Sequence, residues 1–272
     1  MVVLPDSWIA RWRVDETFDH LFAVEGEVFR DQDGRRTIRF SVDGKGYFAK
    51  FYSGIGWRGL LRHLARFSLP VITAGREWRA IHRLEALGVG TMRAVGYGRR
   101  GVDPAHLKSF IITEELTDTL SLEDLCRQWP AAPPPPALKR ALVNRVAGIA
   151  HTLHANGIDH RDLYICHLLL RAPRESKSFD PSRIALFLID LHRMSIHKRL
   201  PRRRRVKDLA ALYFSSLDIG LTRRDICRFI EAYSGMPLRK ALSVDRRLWQ
   251  RVQRRAVALY RKIHRKDPQR IW

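Results

Sequence analysis

Four consecutive prolines, Pro133–Pro136, make a stiff extended connector, and the last is well placed to open a helix. The pattern differs on its two sides. Before it, residues 21–52 read as a β meander: "EVFR", "RRTIRFSV" and "GYFAKFY" are separated by the turn signals "DQDG" and "DGKG". Ile38, Phe40 and Val42 alternate with polar residues, as a half-buried strand requires. "SGIGWRGLLRHLARF" follows as a loop and short basic helix, then "AGREWRAIHRLEALGVG" as a helix that stops at Gly88. On that helix Glu77, Ile81 and Leu84 fall on one stripe, a carboxylate among apolar residues. "SFIITEEL" (109–116) is a further strand and "SLEDLCRQW" a short helix.

Beyond the prolines, Leu142, Val146, Ile149 and Leu153 give helical spacing up to the stop at Asn156 and Gly157. "HLLL" and "IALFLID" are two buried strands around a polar loop at 171–183, and the remainder is helical. The order predicts an α+β fold of two lobes with a cleft between them. An N-terminal lobe over 1–116 holds an antiparallel sheet and one helix. A mostly helical C-terminal lobe spans 117–272.

The chain is 45% apolar over 272 residues, enough for a real core, so a disordered tail is excluded. Its net charge of +22 favours anionic partners: nucleic acid, a phospholipid surface, phosphorylated glycans or an acidic protein. Three cysteines without close pairs argue against a disulfide framework or a CxxC zinc site, and fit reduced thiols in the cytosol. The first residues lack the apolar core of a signal peptide, and no run of 18 apolar residues exists to cross a bilayer.

Phosphoryl transfer needs a cation on the nucleotide phosphates, a carboxylate to hold that cation, a metal-binding carboxylate and a base near the acceptor hydroxyl. The chain offers these in order. Lys50 lies in "YFAK", Glu77 one helix later, Asp162 in "HRD", and Asp190 at the end of "ALFLID". Each alone has a plain reading, and a chain so rich in arginine produces HRD by chance. Four in one order, each on a suitable element, point to a kinase.

The segments "GYFAKFYSGIGW", "REWRAIHRL", "SFIITEEL", "PPPPALKRALV", "HRDLYICHLLL", "LIDLHR" and "KDLAALYFSSLDIGLTRRD" resemble the lipopolysaccharide core heptose(I) kinases, within the protein-kinase-like superfamily. The resemblance spans roughly residues 24–232. It implies a bilobal protein-kinase-like fold with ATP in the cleft, and ATP-dependent phosphorylation of a core heptose. The enzyme would be cytoplasmic, peripheral on the anionic inner face of the inner membrane, with lipopolysaccharide core glycolipid as substrate and acyl carrier protein as a further partner. Carried over residue by residue, Lys50 would hold the ATP phosphates and Glu77 would orient it. Asp162 would take the proton of the sugar hydroxyl, and Asp190 would coordinate Mg²⁺. Phe48 would cover the adenine, and Glu114, Glu115 and Leu116 would read its edge.

Two features depart from the wider kinase pattern. No G-x-G-x-x-G precedes Lys50, only "RDQDGRR"; a hairpin using Gly34, with Arg35 and Arg36 supplying charge, would cover the phosphates, or else is a plain polar turn. Where kinases place an asparagine there is His167, a poor replacement for an amide oxygen on Mg²⁺. It would contact the metal through water, fix Asp162 by hydrogen bonding, or simply start a strand. Asp208 in "KDLAALY" stands at a helix start, where related kinases brace the catalytic loop. "PRRRRVK" (201–207) reads as an anion-binding patch or a solvated face, and the Arg-rich helix at 246–265 as a lipid or acidic-protein surface. Rival readings are a protein or small-molecule kinase on the same fold, or a non-catalytic basic binding module. Nucleic acid is not expected, because the basic residues are not interleaved with aromatic ones.

Overall fold

A computed structural model of the protein describes residues 1–11, 17–32, 34–65, 73–171 and 184–269. They form two compact units. One comprises Met1–Ala86, Met92–Leu116 and Leu191–Arg193; the other comprises Leu87–Thr91, Thr117–Asp190 and Met194–Trp272.

The first unit is built on a six-stranded antiparallel sheet: β1 (Val2–Val3), β2 (Glu27–Gln32), β3 (Arg35–Val42), β4 (Lys45–Tyr52), β5 (Ala94–Arg100) and β6 (Lys108–Glu114), in the order β1-β5-β6-β4-β3-β2. The alternation read at Ile38, Phe40 and Val42 buries all three. Together with Tyr47, Ala49 and Phe51 they pack on Trp8 of α1 (Asp6–Arg11) and on Phe18 and Leu21 of α2 (Thr17–Ala23). These two short helices and β5 add to the pattern read from sequence. Two further helices are α3 (Gly56–Ala65) and α4 (Gly75–Ala86). On α4 the stripe Glu77, Ile81 and Leu84 is buried, carboxylate included.

The second unit carries α5 (Leu122–Cys126), α6 (Pro136–Ala155), α7 (Arg202–Ser215), α8 (Arg223–Ser234), α9 (Leu238–Val244) and α10 (Arg246–His264). Pro136 is the first residue of α6, where its missing N–H costs nothing. A small antiparallel sheet joins β7 (Thr119–Ser121), β9 (Leu168–Arg171) and β10 (Leu186–Leu188); β8 (Ile158–Asp159) pairs with β11 (Ser195–Ile196). Beyond Arg171, the polar loop read at 171–183 lies outside the described residues. One expectation is corrected. Helix α7 begins at Arg202, so the arginine run 202–205 is helical and Asp208 lies well inside the helix, beyond the reach of a first-turn dipole effect.

The strand that leads to Asp190 is gripped from the side. Leu188 N–H donates to the Gly90 carbonyl at 2.8 Å, and the Thr91 hydroxyl donates to the Leu188 carbonyl at 2.7 Å. The segment entering the HRD loop is equally constrained. Gly157 has φ of 74°, and a Cβ there would stand 2.1 Å from the His197 carbonyl oxygen. Gly157→Ala therefore combines a left-handed backbone penalty with a backbone clash, and is expected to cost about 2 kcal/mol or more. That is a fall in Tm of about 4–8 °C for a chain of this size, read by thermal denaturation.

Candidate active site

Strand β4 sorts its side chains by alternation. Tyr47, Ala49 and Phe51 enter the core, while Phe48 and Lys50 lie half-buried on the other face. Thr37 of β3 and Ile111 of β6 stand opposite Lys50. The Lys50 ammonium donates to Glu77 Oε1 at 2.5 Å, with Glu77 only 1% and Lys50 16% exposed. An ionised carboxylate this deep costs several kcal/mol unless it is paired, so the pair fixes both side chains. Two polar atoms here, Glu77 Oε2 and Thr37 Oγ1, are buried without a hydrogen-bond partner among the described residues. A fixed ammonium with further N–H capacity fits the phosphates of a nucleotide.

The Phe48 ring meets that of Phe29 edge-on, with centroids 5.3 Å apart. Phe29, exposed on β2, is not singled out by sequence reasoning; only the strand register brings it to Phe48. Glu114 N–H donates to the Arg93 carbonyl at 2.9 Å and Glu115 N–H to the Gly46 carbonyl at 3.0 Å. Their carboxylates accept from Arg93 at 3.0 Å and from Arg39 at 2.8 Å. Leu116, which follows them, is half-buried. Gly34 sits in the β2–β3 turn with φ of 69°, and a Cβ there would stand 2.4 Å from the Gly54 carbonyl oxygen. Its carbonyl accepts from Ser53 N–H at 2.9 Å. That close backbone approach requires glycine whatever the turn binds.

In the second unit the HRD loop is organised by Asp208, which is fully buried. Its Oδ2 accepts from His160 N–H at 2.7 Å and its Oδ1 from Arg161 N–H at 2.8 Å. Arg161 has φ of 76°, a strained value for a side chain with Cβ, which this grip sustains. His160 is also fully buried, and burial, outweighing nearby Asp208 and the Ile189 carbonyl, pushes its pKa down. The neutral ring uses Nε2–H to donate to the Ile189 carbonyl at 3.0 Å. Ile189 N–H in turn donates to the His167 carbonyl at 3.0 Å. Both sides of Ile189 are thus pinned immediately before Asp190, whose own φ of 62° is again left-handed.

His167 links the two aspartates. Its Nδ1–H donates to the Asp162 carbonyl at 2.8 Å, and its Nε2 stands 3.7 Å from Asp190 Oδ2. The neighbouring Cys166 side chain, then the Asp162 carbonyl and the Asp190 carboxylate, outweigh burial and hold the imidazole pKa up at about 9. Among the described residues, no group of three His, Cys, Asp or Glu side chains gathers to hold a metal. The Asp190 carboxylate is an oxygen donor of the kind Mg²⁺ takes, an ion that keeps its waters and needs few protein ligands.

The arrangement has the parts of a kinase in each unit, and a family model matches over residues 19–233, described as the lipopolysaccharide kinase (Kdo/WaaP) family. The chain belongs to that family. It is 47% identical over 264 residues to the lipopolysaccharide core heptose(I) kinase WaaP of Pseudomonas aeruginosa, covering 97% of each chain. Against the protein of the same name from Escherichia coli strain K12 it is 44% identical over 266 residues, covering 98% of this chain and 99% of the relative. A solved structure of WaaP in complex with acyl carrier protein superposes with a TM-score of 0.81 at 44% identity, covering 96% of this chain and 99% of that one. This family member is accordingly a kinase of α+β, protein-kinase-like fold.

Asp208→Ala leaves the buried N–H groups of His160 and Arg161 without acceptors, a loss of about 3 kcal/mol. Asp208→Asn, which offers one oxygen in place of two, is expected to fall between it and the wild type. Urea unfolding measures the stability series, and phosphoryl-transfer rates should fall in the same order.

Proposed function

We propose that this chain transfers the γ-phosphate of ATP to a heptose of the lipopolysaccharide inner core. The Lys50–Glu77 pair at 2.5 Å carries the reading, in a chain that aligns nearly end to end with heptose(I) kinases. In this reading Lys50 binds the nucleotide phosphates, and Glu77 keeps its ammonium in place. Phe48 lies against the adenine, with Glu114, Glu115 and Leu116 along the base edge and Gly34 in the turn covering the phosphates. Asp190 carries the magnesium ion, which when bound neutralises charge on the transferring phosphoryl group. Asp162 accepts the proton of the sugar hydroxyl. His167 serves as a positioning residue, tying the Asp162 backbone to the Asp190 carboxylate.

The acceptor is lipid-linked, so the enzyme works as a peripheral protein on the cytoplasmic face of the inner membrane; the +22 charge supports an anionic surface there. An acyl carrier protein is a second proposed partner, supported by the solved WaaP relative, which is a complex with acyl carrier protein, and by the same charge. In the helical unit an apolar cavity lined by Leu142, Val146, Leu212, Phe229 and Trp249 shares Tyr213 and Gln253 with a groove that bears Arg254 and Arg261. Hydrocarbon inside and cations at the groove suit a carrier-borne acyl chain.

Asp162→Ala is expected to lower γ-phosphate transfer to core glycolipid lacking heptose phosphate by about 10²–10⁴, with nucleotide binding retained. Lys50→Ala should instead weaken nucleotide binding. Wild-type transfer to peptides and not to the glycolipid would overturn the acceptor, and full activity of Asp162→Ala would overturn the mechanism. For His167, replacement by Asn should retain more activity than replacement by Ala, because an amide can still donate to the Asp162 carbonyl.

A further inference from the structure

Helix α3 exposes two large apolar side chains. Trp57 and Leu61, one helical turn apart, share a face, and they are 56% and 62% exposed. In sequence the segment is rich in leucine and its ionisable residues are Arg58, Arg62 and His63, with Arg58 exposed. No acidic residue occurs in it. An amphipathic helix normally buries such a face, yet the core of this unit is closed by Trp8, Phe18 and Leu21 without Trp57 or Leu61. The helix is also anchored to a second exposed apolar site. Gly56 N–H donates to the Ala105 carbonyl at 3.0 Å, and the loop that holds Ala105 carries Val102, 90% exposed.

We propose that α3 is an interfacial anchor, lying in the headgroup layer of an anionic phospholipid surface with Trp57 and Leu61 inserted. The inference rests on the reading of a lipid-linked acceptor and names the residues that bring the enzyme to it. Three observations select a bilayer over a protein groove. Tryptophan is the side chain that best suits a boundary between hydrocarbon and water. The charged residues in the sequence of the helix are all basic, which matches a uniformly anionic surface, whereas the acidic carrier protein is already matched by the cavity and groove of the helical unit. The exposed apolar pair, Trp57 and Leu61, lies on one face of the helix, suited to shallow insertion parallel to a surface. In sequence the helix lies between the strand of Lys50 and the helix of Glu77.

Co-sedimentation with vesicles of phosphatidylglycerol and phosphatidylethanolamine, beside phosphatidylcholine alone, tests the anchor. The full chain is expected to bind the anionic vesicles, more weakly as salt rises. The double variant Trp57→Ser/Leu61→Ser should bind about tenfold less, with an unchanged thermal midpoint because neither side chain is in the core. Arg58→Glu, which keeps the apolar pair, should weaken anionic binding and flatten its salt dependence. Phosphorylation of a lipid-free core oligosaccharide should be equal in wild type and double variant, and that of vesicle-embedded glycolipid should fall about tenfold in the variant. Vesicle binding by the double variant equal to wild type overturns the proposal. So does a double variant that keeps vesicle binding but loses self-association or acyl carrier protein binding, which would make the pair a protein contact. Loss of vesicle binding together with no transfer by wild type to the oligosaccharide would support the anchor while removing the acceptor reading.

Discussion

The carboxylate of Asp208 determines the shape of the HRD loop. It is fully buried inside α7, where the backbone N–H groups of His160 and Arg161 satisfy it and His154 Nε2 stands 3.5 Å from its Oδ2. The same two hydrogen bonds hold Arg161 at a positive φ, and the direction of the chain into Asp162 follows from that. His160 carries the constraint onward. Its ring is kept neutral by burial and hydrogen-bonds the Ile189 carbonyl, so the residue before Asp190 takes its place from the residue two before Asp162. His167 closes the circuit from the other side, holding the Asp162 carbonyl with one nitrogen and facing Asp190 with the other. One buried anion thus sets the relation between two aspartates 28 residues apart (190 − 162).

The first unit solves a different problem with similar means. A lysine that binds phosphate must be charged, fixed and still able to donate. In the proposed nucleotide site Glu77 fixes Lys50 by pairing from an otherwise apolar stripe, and the geometry of β4 leaves the ammonium on the face away from the core. The buried carboxylate is costly by itself, so the cost of separating the pair keeps Lys50 in one place.

Much of this is legible in the sequence, for reasons that can be named. Long strands and helices with clean periodicity, such as β3, β4, α4 and α6, emerge because one face of each is buried. Glu77 stands out because a carboxylate on an apolar stripe breaks the pattern. The short elements do not emerge: α1, α2 and β5 are held by aromatic contacts such as Trp8 on Tyr47, 5.0 Å apart, which no local period encodes. Asp208 reads as a helix start because the arginines before it look like a surface patch, yet they are the first turns of α7. The part played by Phe29 depends on a strand register, and the link from His160 to Ile189 on a contact across 29 residues; neither leaves a mark in spacing. His167 looks in sequence like a metal ligand out of place, and its hydrogen bond to Asp162 gives it work that an imidazole does well.

The position of the transferred phosphate is the most direct test of the proposed reaction. Core glycolipid lacking heptose phosphate would be incubated with ATP, magnesium and the full chain in the presence of a peptide pool, and the products fragmented by mass spectrometry. A single added phosphate on an inner-core heptose, and none on peptide, is the expected outcome. Phosphate on peptide alone, or on a sugar other than heptose, would contradict it.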